Sequence, residues 1–188
     1  MDLLGQLITI LAVLVGALST HWANHRMERT KLRQMLLTRW DEKKLETYSE
    51  YVTYVRASIH AAVLLYETTE GLRDEPRDVR DLRLNLTDLG ITQSSAFERV
   101  MLLAEDSVVV AAHGVQEAVA AVVWQARGVV DGTLEDWRKR NADAFAAINR
   151  FHQEVRNDLG VSGNFAGEVH TARGLLLPGT RTGAADDS

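Results

Sequence analysis

The first two dozen residues limit what this chain can be. Between Asp2 and Arg26 there is no Asp, Glu, Lys or Arg, and the run from Leu3 through Leu18 is almost wholly apolar. About 20 such residues, rising 1.5 Å each in a helix, cross a hydrocarbon core of about 30 Å. The stretch therefore reads as a transmembrane helix over residues 1–22. Two other readings compete with it. A cleavable secretory signal would find small residues at Ala17-Leu18-Ser19, but its n-region should be basic, and here it is Met1-Asp2. A buried helix of a soluble protein would keep a polar stripe, for which Gln6, Thr9, Ser19 and Thr20 are too few and too mild.

The flanks give an orientation. Arg26, Arg29, Lys31, Arg33 and Arg39 follow the span, and no Lys or Arg precedes it. By the positive-inside rule the expected address is the cell membrane, single-pass, with the N-terminus outside and the body cytoplasmic. Each cation beside an anionic leaflet is worth about 1 kcal/mol. Trp22, Arg26, Arg29, Lys31 and Arg33 are therefore the expected membrane-surface residues, and the bilayer with its anionic headgroups is the first partner.

The remainder reads as all-α. Only two prolines occur, Ala, Leu, Val, Glu and Arg are plentiful, and cysteine is absent. Without cysteine there can be no disulfide, no thiolate nucleophile and no Cys-ligated metal centre. The net charge of -5 hides a basic segment through Trp40 and an acidic body, which argues against nucleic acid as a partner.

Apolar residues then step by three and four, the spacing of a helix with one packed side. The first series is Leu45, Tyr48, Val52, Val55, Ile59, Ala62 and Tyr66, closed by Gly71. Asp74 or Glu75 is the expected cap of the next helix, with Pro76 in its first turn. Val79, Leu82, Leu86, Leu89, Ala96, Val100 and Leu103 continue the pattern, interrupted by Gln93. Alternation at Leu82, Leu84 and Leu86 favours a strand locally, so the expectation is a helix weakened near Gly90, with residues 84–95 open to being irregular. A third helix follows from a cap at Asp106 or Ser107, with Val108, Ala112, Val115, Val119, Val122 and Ala126 inward and Gly128 as its stop. The fourth opens on Thr133 and Asp136 in capping-box spacing. It runs through Leu134, Trp137, Asn141, Phe145, Ile148, Phe151 or His152, Val155 and Leu159 to Gly160.

The expected organisation is a transmembrane helix (1–22), a basic juxtamembrane stalk (23–43), a helical bundle (44–160) and a flexible tail (161–188). The transmembrane helix continues into a long helix that packs with about three shorter ones as an antiparallel bundle. That long helix outruns its partners, which leaves Leu32, Leu36 and Trp40 on the stalk too apolar to stand alone in water. Either two or more stalks pair, or the stalk leans on the bilayer or on the bundle; self-association through these three residues is the preferred expectation.

No motif for chemistry emerges. The residues three before His60, His113 and His152 are Ala57, Val110 and Asn149, so no Glu-x-x-His pair for a di-iron site exists. Zinc-protease, phosphate-loop, nucleophile-elbow and dinucleotide signatures are missing too. The three histidines read as surface or core-edge residues, and Glu98, Glu105 and Glu117 as solvated. Trp40, Trp124 and Trp137, with Tyr48, Tyr51, Tyr54 and Tyr66, read as packing residues. No catalytic residue, cofactor or metal is expected.

Two stretches, Thr38-Arg39-Trp40-Asp41-Glu42-Lys43-Lys44-Leu45-Glu46-Thr47-Tyr48 and Ala96-Phe97-Glu98-Arg99-Val100-Met101-Leu102-Leu103-Ala104, resemble a group of small actinobacterial proteins with one N-terminal span and a helical body. The resemblance implies an architecture and an address, and no activity. The function expected is a membrane-tethered interaction or scaffold module, with a protein partner or a second copy of itself. The alternatives are a membrane-associated sensor or transport accessory binding a small ligand between helices, and a secreted helical protein if the N-terminus is cleaved.

Overall fold

A computed structural model describes residues 40–163 and Gly167. The expected transmembrane helix, the expected stalk up to residue 39 and nearly all of the expected tail lie outside the described residues, as do Trp22, Arg26, Arg29, Lys31, Leu32, Arg33 and Leu36. The chain divides into two compact units, Met1–Lys43 and Lys44–Ser188. The second is the body.

Four helices and no strand are found among the described residues: α1 (40–69), α2 (Val79–Leu103), α3 (Asp106–Ala126) and α4 (Leu134–Asp158). They run up, down, up and down. Tyr48 meets Phe151, and further along Tyr66 meets Trp137, so α1 and α4 are antiparallel. The Glu50–Arg99 ion pair at 2.8 Å and the Tyr51–Phe97 ring contact tie α1 to α2. Gln93–Gln116 and Phe97–His113 join α2 to α3, and Arg140–Gln125 joins α4 to α3. Across the diagonal, the Tyr51 hydroxyl donates to the Ala112 carbonyl at 3.2 Å. α3 packs far more extensively on α4 than on α2.

The boundaries follow from local chemistry. Gly71, Gly128 and Gly160 each adopt positive φ just past a helix end, near 68°, 70° and 67°. Each closes a Schellman motif: Leu72 N–H returns to Glu67 C=O, Val129 to Trp124 and Val161 to Arg156, at 2.8 to 2.9 Å. An L-residue in that conformation would cost about 1–2 kcal/mol, so glycine at these three places matches the backbone it must follow. At the start of α4 the capping box is complete. Thr133 Oγ accepts from the Asp136 N–H at 3.1 Å, and Asp136 Oδ2 accepts from the Thr133 N–H at 2.8 Å.

Several sequence expectations need correction. α2 starts later than Asp74 or Glu75, because the Glu75 carboxylate is held by Arg77 at 2.7 Å and Pro76 stays in the loop. Asp78 is the cap, accepting from the Arg80 N–H at 2.8 Å. The helix then passes Gly90 without a break, and residues 84–95 are fully helical. The alternating leucines are divided by exposure, Leu82 and Leu86 inward and Leu84 out. α3 is capped by Glu105 through its backbone alone, so Asp106 and Ser107 lie inside the helix. Leu45 is 53% exposed and belongs to the surface.

The core otherwise lies where the three-and-four stepping puts it. Tyr48, Val55, Ile59, Ala62 and Tyr66 from α1 are buried, with Leu82, Leu86, Ala96 and Val100 from α2. α3 contributes all six of its expected residues, and α4 Trp137, Phe145, Ile148, Phe151 and Val155. Each large side chain so buried is worth about 1.5–3 kcal/mol in transfer from water. Tyr66 stacks on Trp137 with ring centroids 4.0 Å apart and planes within 9°. α3 is also the one described helix long and apolar enough, by length and composition only, to cross a membrane. Its Gln116 and Gln125 are nevertheless bonded to Gln93 on α2 and Arg140 on α4, and this ties it into the bundle.

Candidate functional site

Among the described residues, two recesses lie between helix pairs. The first lies between α1 and α4. Leu45, Val52, Phe151 and Val155 make its apolar lining, and Arg56, His152 and Arg156 its polar one. It encloses about 480 Å³ and is open along one side. One end of the helix pair is tied by Asp158, whose side chain is 2% exposed and accepts from Tyr48 Oη at 2.5 Å and from Lys44 Nζ at 2.8 Å. Burial pushes the Tyr48 hydroxyl well above the usual phenol range, and the bond to Asp158 with that carboxylate's charge pushes it further. It is a donor at any physiological pH.

The second recess lies between α2 and α3 and is smaller, about 200 Å³. Its polar residues include Ser58, Gln93, Gln116 and Arg127, and Leu86, Val119 and Val123 supply apolar wall. Gln93 was the break in the α2 pattern. It is buried, and its Nε2 donates to Gln116 Oε1 at 2.6 Å.

The residues singled out by sequence are not gathered at either recess. Trp40 is the only one of the membrane-surface and self-association residues that is described, and it is 55% exposed. His60 is exposed, His113 is exposed and packs edge-on to Phe97, and His152 alone lines a recess. Glu98, Glu105 and Glu117 face solvent. Trp124 is 52% exposed, so it is not a core residue. Among the described residues no three His, Cys, Asp or Glu side chains come together as a metal centre.

No protein-family model, curated protein or solved structure matches this chain. Function has to be argued from these residues. Sequence reasoning missed Ser58 and Arg127 altogether, Ser58 although it stands three residues after Val55 and four before Ala62, and Arg127 because it follows the end of α3. The one available signal was Gln93, a polar residue at a position the α2 period turns inward.

Proposed function

We propose that this protein is a single-pass, membrane-tethered interaction module, with its helical body on the cytoplasmic side and a second copy of the chain as the first partner. The apolar run and the one-sided basic flank support the tether and its orientation. The observation that carries the association is Trp40. Trp40 is 55% exposed. A large aromatic ring left in water is a contact awaiting a surface. Leu36 and Leu32 precede it at four-residue steps in the sequence. The reading assigns no catalytic activity and no cofactor.

The absence of cysteine makes the test clean. Leu36→Cys and Trp40→Cys, each as the sole thiol, should give disulfide-linked dimers when membranes are oxidised. Leu84→Cys, exposed on α2, should not. Dimers at Leu84 alone, or at none of the three, would remove self-association from the account.

A further inference from the structure

Helix α1 buries a hydroxyl that nothing satisfies. Ser58 is 1% exposed and its Oγ has no hydrogen-bond partner. Elsewhere in the body, Thr53, Thr68, Thr69, Thr87, Thr92 and Ser95 each return their hydroxyl to the carbonyl four residues earlier, at 2.7 to 3.1 Å. That bond is the default for a helical Ser or Thr with no other acceptor in reach. Ser58 lacks it, and Ser58 lines the recess between α2 and α3.

A second unsatisfied group lines the same recess. Arg127 Nη2 donates to Thr87 Oγ1 at 2.9 Å, while the Arg127 Nε–H is buried without a partner. A buried N–H of a charged guanidinium is costly to leave unpaired, more so than a neutral donor. The Gln93–Gln116 bond uses one end of each amide, and the other ends, an acceptor on Gln93 and a donor on Gln116, remain available. Gly90 also lines the recess. It sits in the interior of α2, where glycine costs about 0.5–1 kcal/mol relative to alanine, and a Cβ there would meet no atom within 4 Å. No packing contact requires glycine at that position.

We infer that the α2–α3 recess is a binding site for a short-chain monocarboxylate, with Arg127, Ser58 and Gln116 on its carboxylate and Leu86, Val119 and Val123 on its hydrocarbon. One guanidinium assisted by neutral donors balances a single negative charge, whereas a doubly charged phosphate would stay half compensated. At about 30 Å³ for each water-sized group, the space of about 200 Å³ takes an acid of about six or seven non-hydrogen atoms. The recess is open to solvent on one side. The site lies wholly within the body and does not depend on the tether or on self-association.

Sodium butyrate is the probe, against the full-length protein, with butyramide as its uncharged counterpart and inorganic phosphate as the dianion. At saturation butyrate should raise the melting temperature by about 2–4 °C, because it binds the native state alone. Butyramide and phosphate should leave it unchanged. Arg127→Gln should lose the butyrate response. Gly90→Leu, which has open space for its side chain and a better helix former in place of glycine, should melt no lower than the parent and also lose the response. The inference is overturned if butyrate gives no saturating rise, if butyramide or phosphate raises the melting temperature as much as butyrate does, or if a folded Gly90→Leu protein responds as the parent does.

Discussion

Tyr48, near the start of the body, donates its hydroxyl to Asp158, the last residue of α4, at 2.5 Å. The two are 110 residues apart in sequence, and Lys44 holds the other carboxylate oxygen at 2.8 Å. The arrangement fastens the first helix of the bundle to the last at one end. The Tyr48 ring also meets Phe151 edge-on at 6.0 Å, so hydroxyl and ring act in different contacts that can be separated.

Tyr48→Phe keeps the ring and removes only the O–H, leaving one buried oxygen of Asp158 with a lost donor. A loss of about 1–3 kcal/mol is expected, read as a lower denaturant midpoint at unchanged slope. A change in slope would mean that the substitution altered how much surface the fold buries, and not this bond alone.

The same hydroxyl sets an alkaline limit. Burial is the first cause of the raised Tyr48 value, ahead of Asp158, and burial alone raises Tyr51. Both groups favour the protonated form in the fold beyond the unfolded value of about 10. Their contribution is therefore complete below about pH 10 and is lost as pH rises above it. In a titration followed at 295 nm, these tyrosines should ionise only together with loss of the near-ultraviolet circular dichroism. Ionisation of both before that loss would contradict their burial.

Ile59 and Leu45 belong to the same apolar series in sequence, yet one is 1% exposed and the other 53%. Ile59→Asp puts an unpaired charge in the core and should cost more than about 4 kcal/mol, enough to unfold a domain of ordinary stability. Leu45→Asp should change stability by no more than about 0.5 kcal/mol. Equal effects of the two substitutions, by thermal or denaturant melting, would show that the boundary of the core is misplaced.

The apolar stepping carries most of the fold because helix packing needs only one buried side, and that side repeats every three to four residues. The three glycine stops and the Thr133–Asp136 box were legible because each is a local backbone requirement met by one residue type. Asp78 was not, since three acidic residues precede α2 and only the geometry of the Glu75–Arg77 pair tells which is free to cap. Leu45 fits the period and still faces out, because it lines the open recess between α1 and α4, which the period does not show. Ser58 and Arg127 come to line one recess through folding alone, being 69 residues apart in sequence.

The capping box makes a pH prediction of opposite sign to the tyrosines. The Thr133 N–H, then its hydroxyl, holds the Asp136 carboxyl below the usual range. A depressed carboxylate stabilises the fold above its unfolded value of about 4 and loses that contribution as pH falls through the folded value. Thr133→Ala should cost about 1 kcal/mol at neutral pH. The difference between parent and variant should shrink on acidification, measured by urea melting at pH 6 and pH 3. A difference that is constant or grows would show that the box does not form in solution.

The most direct test of the tethered-module reading is membrane fractionation with protease protection, using an epitope tag at the C-terminus of the full chain. The account predicts that the protein stays with membranes through a carbonate wash and that protease reaches the tag only once the cytoplasmic side is opened. Release into the soluble fraction, or a tag cleaved from outside intact cells, would contradict it.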